Sequence, residues 1–217
     1  MSEPNALGLS ARTGSVMVAF TIVFTALMAF TYGATKNQIE ASATEEKMKL
    51  ISEVLPPASY DNLLLDDYVE LGPTPELGLA EGGRVYRARR AGQPAALLLE
   101  TTAPDGYSGR IDLIVAVRAD GGVSGVRAVT HRETPGLGDY IDPKKDKDKK
   151  APWILQFTGF DAGRLPMLKV RKDGGEIAYH TGATISARAV TNAVARAARY
   201  AADNQNRLFA AASGSRP

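Results

Sequence analysis

The feature that most constrains this chain is an uncharged apolar run near its start. Residues 13–35, TGSVMVAFTIVFTALMAFTYGAT, are 23 positions without a charge, bracketed by Arg12 and Lys36. As a helix rising about 1.5 Å per residue, the run is roughly 35 Å long, which is enough to cross the hydrocarbon layer of a membrane. We therefore predict a single transmembrane helix over residues 13–35, preceded by a short tail over residues 1–12.

Two other structures can contain such a run. A cleaved signal peptide usually has an apolar region of only about 7 to 15 residues, and a buried core helix normally shows a polar face. This run is longer than the first, and its polar residues, mostly threonines, are scattered and form no continuous polar face. Basic residues lie on both sides, Arg12 before the run and Lys36, Lys47 and Lys49 after it, so charge leaves the orientation open.

The residues after the run predict a stalk and then a folded domain. Residues 36–55 place Ile39, Ala43, Leu50, Ile51 and Val54 at helical spacing, and Pro56-Pro57 ends the pattern. This indicates an amphipathic helix over residues 36–57. We expect the folded domain over residues 58–207 and a disordered tail over residues 208–217.

The folded domain has the pattern of an α+β protein. Four β-rich segments lie at 84–89, 95–102, 111–119 and 123–130, and Asp120-Gly121-Gly122 marks a hairpin turn between the last two. Residues 167–177 repeat the pattern of a strand followed by Asp-Gly-Gly. With a helical piece near Trp153 and a long C-terminal helix, the sequence predicts a mainly antiparallel sheet in an α+β domain.

Composition excludes several classes of site. A formal charge of +2, from 26 basic and 24 acidic residues, is too small for a nucleic-acid-binding domain. The absence of cysteine removes disulfides, thiol nucleophiles and thiolate ligands for iron–sulfur clusters. The two histidines, His131 and His180, are 49 positions apart and lack metal-ligand spacing, so we predict no metal site.

Four small residues, Thr181, Gly182, Ala183 and Thr184, lie directly ahead of the alanine-rich C-terminal helix. Helix N-termini attract phosphate through unpaired N–H groups and a partial positive charge. Thr181, Thr184 and Ser186 offer hydroxyls there, and Gly182 permits close approach of the backbone. A phosphate-binding turn and an ordinary N-cap both fit this pattern.

A second candidate site is the loop HRETPGLGDY, residues 131–140. It contains Glu133, Thr134, Pro135, Gly136, Leu137 and Gly138. Proline and glycine make such a loop stiff and sharply turned, so its backbone can press against a planar ligand. It is not a dinucleotide-binding fingerprint, because the third glycine and the strand–helix context are missing.

Two further loops have open interpretations. TTAPDGYSGRI, residues 101–111, contains Tyr107 and is either a ligand-contacting loop of the same character or a plain hairpin connection. PKKDKDKK, residues 143–150, carries five lysines and two aspartates. It is either a docking patch for an acidic partner or a solvated surface loop.

Three motifs in order give the chain a family resemblance. LETTAPDGYSGRIDLIV, HRETPGLGDYI and RKDGGEIAYHTGATISARAVTNAV resemble the G-type subunit of the Rnf, or Rsx, ion-translocating electron-transport complex. The likeness extends from the apolar run to about Tyr200. The related C-type subunit of the sodium-pumping NADH:quinone reductase shares the flavin-binding domain but is usually longer, so the chain resembles the Rnf protein more closely.

The resemblance implies a covalent cofactor. In this family FMN is attached by a phosphoester to the last threonine of the [ST]-G-A-T motif, here Thr184, usually by a separate flavin transferase. Thr181, Gly182, Ala183 and Ser186 would then surround the phosphate. The loop from Glu133 to Gly138 and the region of Tyr107 would contact the isoalloxazine ring.

The resemblance also implies a setting. The chain would be an electron-transfer subunit, not a complete catalyst, in a membrane complex that couples electron transfer between ferredoxin and NAD to Na⁺ or H⁺ movement. Its domain would lie on the periplasmic side of the bacterial inner membrane, in contact with lipid and other subunits.

Two positions depart from the family pattern: Ala178 stands where aspartate is common, and Ala187 where proline is frequent. The first leaves a flavin-free membrane-tethered adaptor as an alternative function.

Overall fold

The N-terminal part of the chain is one long helix. The structure, a computed structural model, describes residues 6–216, and helix α1 runs over Ala6–Val54. Its segment Gly8–Lys36 is long and apolar enough to cross a membrane, with a mean hydropathy of 2.0. The Thr21 and Thr31 hydroxyls donate to the carbonyls of Met17 and Leu27, at 2.9 and 2.8 Å. These bonds satisfy polar groups that an apolar environment would leave unpaired.

The chain divides after Lys49 into two compact units, and the second contains the sheet. Five strands lie in the order of the chain: β1 Tyr68–Leu71, β2 Gly83–Arg90, β3 Gln93–Gly106, β4 Gly109–Arg118 and β5 Val123–Thr130. Every neighbouring pair is antiparallel. The predicted α+β class with a mainly antiparallel sheet is confirmed.

Helix α2, Thr184–Ala210, covers one face of this sheet. Its small apolar side chains, among them Ala187, Val190, Val194 and Ala197, are fully buried in the core that includes Leu97 and Leu99 of the central strand β3. Alanine favours the helix and its short side chain lets the helix lie close to the sheet. Packing against the sheet therefore fixes both ends of α2 relative to the hairpins.

The last turn of α1 belongs to the second unit and meets β5. Ile51 and Val54 are buried. Gly125 of β5 lies so close to the Val54 backbone that an added Cβ would be 2.7 Å from its carbonyl oxygen. Arg127 pairs with Glu53 at 2.8 Å.

One predicted strand is wrong and one real strand is absent from the prediction. Residues 167–177 form no extended strand: 3-10 helices cover Ala162–Met167 and Arg171–Asp173, and a single bridge joins Val170 and Ile177. Pro166 and the turn at Gly174, with φ +80°, interrupt the ladder that a strand would need. Strand β1 has only four residues, too few for an alternation pattern to stand out. The helical piece near Trp153 is present as the 3-10 helix Trp153–Phe157.

The tail over residues 208–217 was expected to be disordered, but its described part, residues 208–216, is held against the domain. Leu208 and Phe209 are buried on α2. Gly214 N donates to Tyr68 O at 2.8 Å, and Glu70 N donates to Ser215 O at 2.9 Å. These bonds cover the free edge of β1, which would otherwise expose unpaired backbone groups.

Candidate functional site

Three loops that are far apart in the sequence meet at a small cleft of about 110 Å³. It is formed by the β3–β4 hairpin, the loop after β5 and the start of α2. Its lining residues are Tyr107, Thr134, Leu137, Gly138, Gly182, Ala183, Ile185 and Ser186. A larger groove of about 610 Å³ lies between residues 71–76 and the C-terminal half of α2, and none of the predicted site residues line it.

Glu133 joins the three loops from beneath the cleft. Its side chain is buried, at 4% exposure. One carboxylate oxygen, Oε1, accepts a hydrogen bond from Ser108 N at 3.0 Å, and the other, Oε2, accepts one from the Ser186 hydroxyl. Because Ser108 lies in the hairpin and Ser186 in α2, a single carboxylate fixes the spacing of all three loops. We call this arrangement the Glu133 clamp.

Two glycines make room for the Glu133 clamp. A Cβ on Gly138 would press on the Ser186 hydroxyl and lie 2.6 Å from Glu133 Oε2. A Cβ on Gly106 would lie 2.9 Å from Glu133 Oε1. Any larger residue at either position would displace the carboxylate, so the glycines are needed for close approach as well as for turning.

The loop over residues 133–138 is a tight turn that presents its tip to solvent. Leu137 N and Gly138 N both donate to Thr134 O at 3.1 Å. Gly136 has φ +74°, and its N–H donates to Asp139 Oδ1 at 2.8 Å. Pro135, Gly136 and Leu137 are exposed. The tip therefore offers a rigid apolar surface at the mouth of the cleft.

The start of α2 has no side-chain cap. The N-cap residue is Ala183, which cannot accept a hydrogen bond through its side chain. The ordinary N-cap interpretation of Thr181, Thr184 and Ser186 is therefore wrong: no hydroxyl caps the helix, and the Ser186 hydroxyl binds Glu133 instead. The first N–H groups of α2 remain available to an anion.

Thr184 is the first residue of α2 and is half-buried, between the cleft-lining residues Ala183 and Ile185. Thr184 does not itself line the cleft, and its hydroxyl forms no hydrogen bond within the described part of the chain. Gly182 has φ +88° with open space where a Cβ would lie. Thr181 is exposed on the same turn. A free hydroxyl thus lies beside an open, glycine-containing turn.

Tyr140 holds this turn from behind. Its hydroxyl donates to Ala183 O at 3.1 Å and accepts from His180 N at 3.4 Å, and its ring stacks on His180 at 4.0 Å. Burial raises the pKa of Tyr140 to about 12, so the donating hydroxyl keeps its proton at neutral pH. Tyr140 ends the candidate loop 131–140, but sequence analysis gave it no role, because nothing local distinguishes it from a core tyrosine.

Trp153 and Gln156 fix the backbone at Ala178, the position where the family commonly has aspartate. Trp153 Nε1 donates to Ala178 O at 2.6 Å, and Ala178 N donates to Gln156 Oε1 at 2.8 Å. The approach to the turn is therefore held by backbone bonds that do not involve the side chain at 178. Sequence analysis also gave no role to Ser108 and Ile185, although each adjoins a predicted site residue in the sequence.

The three cleft loops lie in or next to a segment with known relatives. Residues 106–199 match the family described as the FMN-binding domain, and residues 9–54 match the RnfG N-terminal region. The chain thus has an FMN-binding-type domain that follows an apolar N-terminal helix in the sequence.

Full-length relatives identify the family. The chain is 40% identical to the G-type subunit of the ion-translocating oxidoreductase complex of Pseudoalteromonas atlantica over 203 residues, covering 93% of this chain and 92% of the relative. It is also 40% identical to the proteins of the same name from Vibrio cholerae and Pseudomonas aeruginosa, over 91% and 92% of this chain and 92% of each relative. The chain belongs to the family of G-type subunits of ion-translocating oxidoreductase complexes.

Proposed function

We propose that this protein is a membrane-anchored electron-carrying subunit that holds FMN at the cleft through a phosphoester to Thr184. The observation that supports the proposal most strongly is the meeting of three loops at the uncapped start of α2, beside an unbonded Thr184 hydroxyl. Family membership supports an electron-transport subunit with a flavin domain.

The residues present fit a flavin phosphate. An ester oxygen at Thr184 would place the phosphate next to the free N–H groups of α2, where the helix dipole favours negative charge. Gly182 leaves open space on the same turn. Thr181 adds an exposed hydroxyl.

The residues also fit a flat ring. The cleft is smaller than the about 300–1,000 Å³ of pockets that enclose a small molecule, so an isoalloxazine ring would lie across it. Tyr107, Leu137 and Ile185, which are 66%, 53% and 46% exposed, offer apolar surface for such a ring. FMN supplies the electron-transfer chemistry when bound, while the chain's own residues bind and orient it.

The proposal includes a location and partners. Helix segment Gly8–Lys36, which is long and apolar enough to cross a membrane, anchors the chain in the bacterial inner membrane. The folded domain lies on the periplasmic side, as the family resemblance implies. A flavin transferase attaches the cofactor: the Thr184 oxygen loses its proton and forms a P–O bond as a P–O bond of an activated flavin donor breaks and the rest of that donor leaves. The chain then works with the other subunits of an Rnf-type complex that moves Na⁺ or H⁺.

A flavin-free adaptor is less well supported. Ala178 is the reason to consider it, but the Ala178 backbone is held by the Trp153 indole, which donates to its carbonyl, and by the Gln156 side chain, which accepts from its N–H, so no aspartate side chain is needed there. A role in the sodium-pumping reductase is disfavoured by the full-length match to the G-type relatives.

Fluorescence of a denaturing gel tests the bond. The full chain is co-expressed with a flavin transferase, and we expect a fluorescent band for wild type that Thr184→Ala abolishes. Thr184→Ser keeps the hydroxyl, and Thr181→Ala removes the neighbouring exposed one, so both should keep the band. Equal fluorescence in wild type and Thr184→Ala would reject the assignment.

Mass spectrometry of protein from its own membranes separates the two functions. Attached FMN adds a fixed mass to the peptide that contains Thr184. An unmodified peptide from colourless native protein would instead favour the adaptor.

A further inference from the structure

In residues 142–150, which we call the lysine loop, the acidic and basic side chains differ in their surroundings: aspartates bind backbone N–H groups, whereas the lysines are exposed. Asp146 is 2% exposed, and its carboxylate accepts from Trp153 N at 2.6 Å and from Asp148 N at 3.0 Å. Asp142 accepts from Lys144 N at 2.9 Å. The aspartates thus hold the backbone of the loop, as short acidic side chains do in turns.

The lysines of the loop face solvent. Lys144, Lys145, Lys147, Lys149 and Lys150 are all exposed. Lys149 Nζ donates to the Lys144 carbonyl at 2.6 Å, but no ion pair found among residues 6–216 includes any of the five lysines. With five lysines and three aspartates, the lysine loop carries a net charge of +2, the same as the entire chain.

A chain of contacts connects the lysine loop to the cleft. Asp146 binds Trp153 N, the Trp153 ring packs edge-on against Tyr140 at 5.3 Å, and the Tyr140 hydroxyl binds the cleft residue Ala183. The short helix Asp139–Ile141 also leads directly from Gly138 to the loop. The positive surface is therefore held in a fixed place beside the cleft.

Electrostatics at His131 indicates the same proximity. Burial lowers the pKa of the His131 imidazole, and the ammonium of Lys145 lowers it further. Lys145 thus lies near enough to lower the pKa of His131, which is two positions before Glu133 of the clamp.

We propose that the lysine loop is the docking surface for an acidic face of the protein that exchanges electrons at the cleft. A fixed cluster of unpaired positive charges beside the cleft would steer an acidic partner and orient it there. The docking partner's role as electron donor or acceptor rests on the proposed function, whereas the docking contact itself does not need the flavin.

A protein partner fits the lysine loop better than a lipid surface does. Membrane-surface segments combine basic residues with exposed aromatic or large apolar ones that enter the interface. The exposed side chains of residues 142–151 are lysine, Asp148 and Ala151, and the adjacent Trp153 is buried.

The test uses the full chain in its assembled complex in native membranes. Lys145→Gln/Lys147→Gln removes two loop charges that make no backbone bond. The matched control, Arg90→Gln/Arg199→Gln, removes two exposed charges elsewhere. Arg90 lies at the β2–β3 hairpin, at the opposite end of the 14-residue strand β3 from Tyr107, and Arg199 lies about 22 Å along α2 from Thr184.

The first measurement is the rate of flavin reduction in the complex as salt is varied. Between about 10 mM and about 150 mM NaCl the Debye length falls from about 30 Å to about 8 Å. We expect Lys145→Gln/Lys147→Gln to slow reduction by about 3- to 10-fold at low salt and to flatten the salt dependence. The control should change the rate by less than about 2-fold. Equal rates and salt dependence in both variants would overturn the proposal.

The second measurement does not depend on the flavin. A carbodiimide joins lysine amines to carboxylates in contact, with loss of water, so lysine-loop peptides should be recovered linked to Asp or Glu of another protein of the complex. The same links should form with Thr184→Ala, which separates failure of docking from failure of flavin attachment. The proposal would be overturned if no such links formed and the rate of flavin reduction instead followed the anionic lipid content of the membrane. That result would assign the lysine loop to lipid headgroups.

Discussion

The Ser186 hydroxyl donates a hydrogen bond to the carboxylate of Glu133, which lies 53 positions earlier in the chain. Both side chains are buried, at 1% and 4% exposure. The contact joins the first turn of α2 to the loop over residues 133–138, and Ser108 N extends it to the β3–β4 hairpin. The geometry of the cleft therefore depends on one carboxylate, and its neighbours provide direct tests.

Removing the Ser186 hydroxyl should weaken the domain. Ser186→Ala leaves a buried carboxylate with one hydrogen bond fewer, which costs about 1–3 kcal/mol of unfolding free energy. Denaturant unfolding of the full chain in detergent measures the loss. Ser108→Ala is the control, because only the backbone N–H of that exposed residue binds Glu133. An equally large loss of unfolding free energy in Ser108→Ala would show that the Ser186–Glu133 hydrogen bond does not account for the effect of Ser186→Ala.

Adding one methyl group at Gly138 should disrupt the Glu133 clamp. The new Cβ would press on the Ser186 hydroxyl and lie 2.6 Å from Glu133 Oε2, and such overpacking costs about 1–3 kcal/mol. We expect Gly138→Ala to lower both the unfolding midpoint and the yield of fluorescent flavin band. Gly72→Ala, which meets nothing within 4 Å, should leave both within error. Normal yield and stability for Gly138→Ala would contradict the clamp.

Removing Arg87, which binds the C-terminal end of α2, should destabilise the domain more strongly. Arg87 is 2% exposed, pairs with Asp67 and donates to the Leu208 carbonyl at 2.9 Å. Arg87→Ala leaves buried polar groups unpaired, and we expect a loss of about 3–5 kcal/mol.

The control for Arg87 is Arg84. Its pair with Glu70 is 3.7 Å long, with side chains 49% and 41% exposed, so Arg84→Ala should cost about 0–1 kcal/mol. Thermal or denaturant unfolding distinguishes the two, and similar losses would refute the role given to Arg87.

Tyr140 should make stability fall at high pH. Its pKa is about 12 in the folded chain and about 10 in an unfolded one, so the unfolded state loses the proton first. The stabilisation is complete below about pH 10 and is lost as pH rises from about 10 to 12. The difference in unfolding free energy between wild type and Tyr140→Phe should shrink over that range. With exposed Tyr107→Phe as control, a difference that stays constant with pH would contradict the prediction.

Local sequence determined most of the elements of this protein, with β1 and the irregular segment 167–177 as exceptions. The apolar run over residues 13–35 specifies a helix by its length, and the Asp120-Gly121-Gly122 turn specifies the β4–β5 hairpin because glycine supplies the positive φ of +84° at Gly121. Residue type and spacing also indicated which three segments of the chain form the site loops. These features depend on neighbours within a few positions, where backbone preference and side-chain periodicity act directly.

Tertiary structure decided how the elements meet. Three hydrogen bonds show this: Ser186 to Glu133, Tyr140 to Ala183, and Trp153 N to Asp146. Nothing in the sequence indicates that these pairs of residues are in contact. Packing of α2 on the sheet places the start of α2, where the Ser186 hydroxyl binds the buried carboxylate of Glu133 instead of the helix end. The sequence determined which groups are available, and the close packing of the core determined which of them lie within hydrogen-bonding distance.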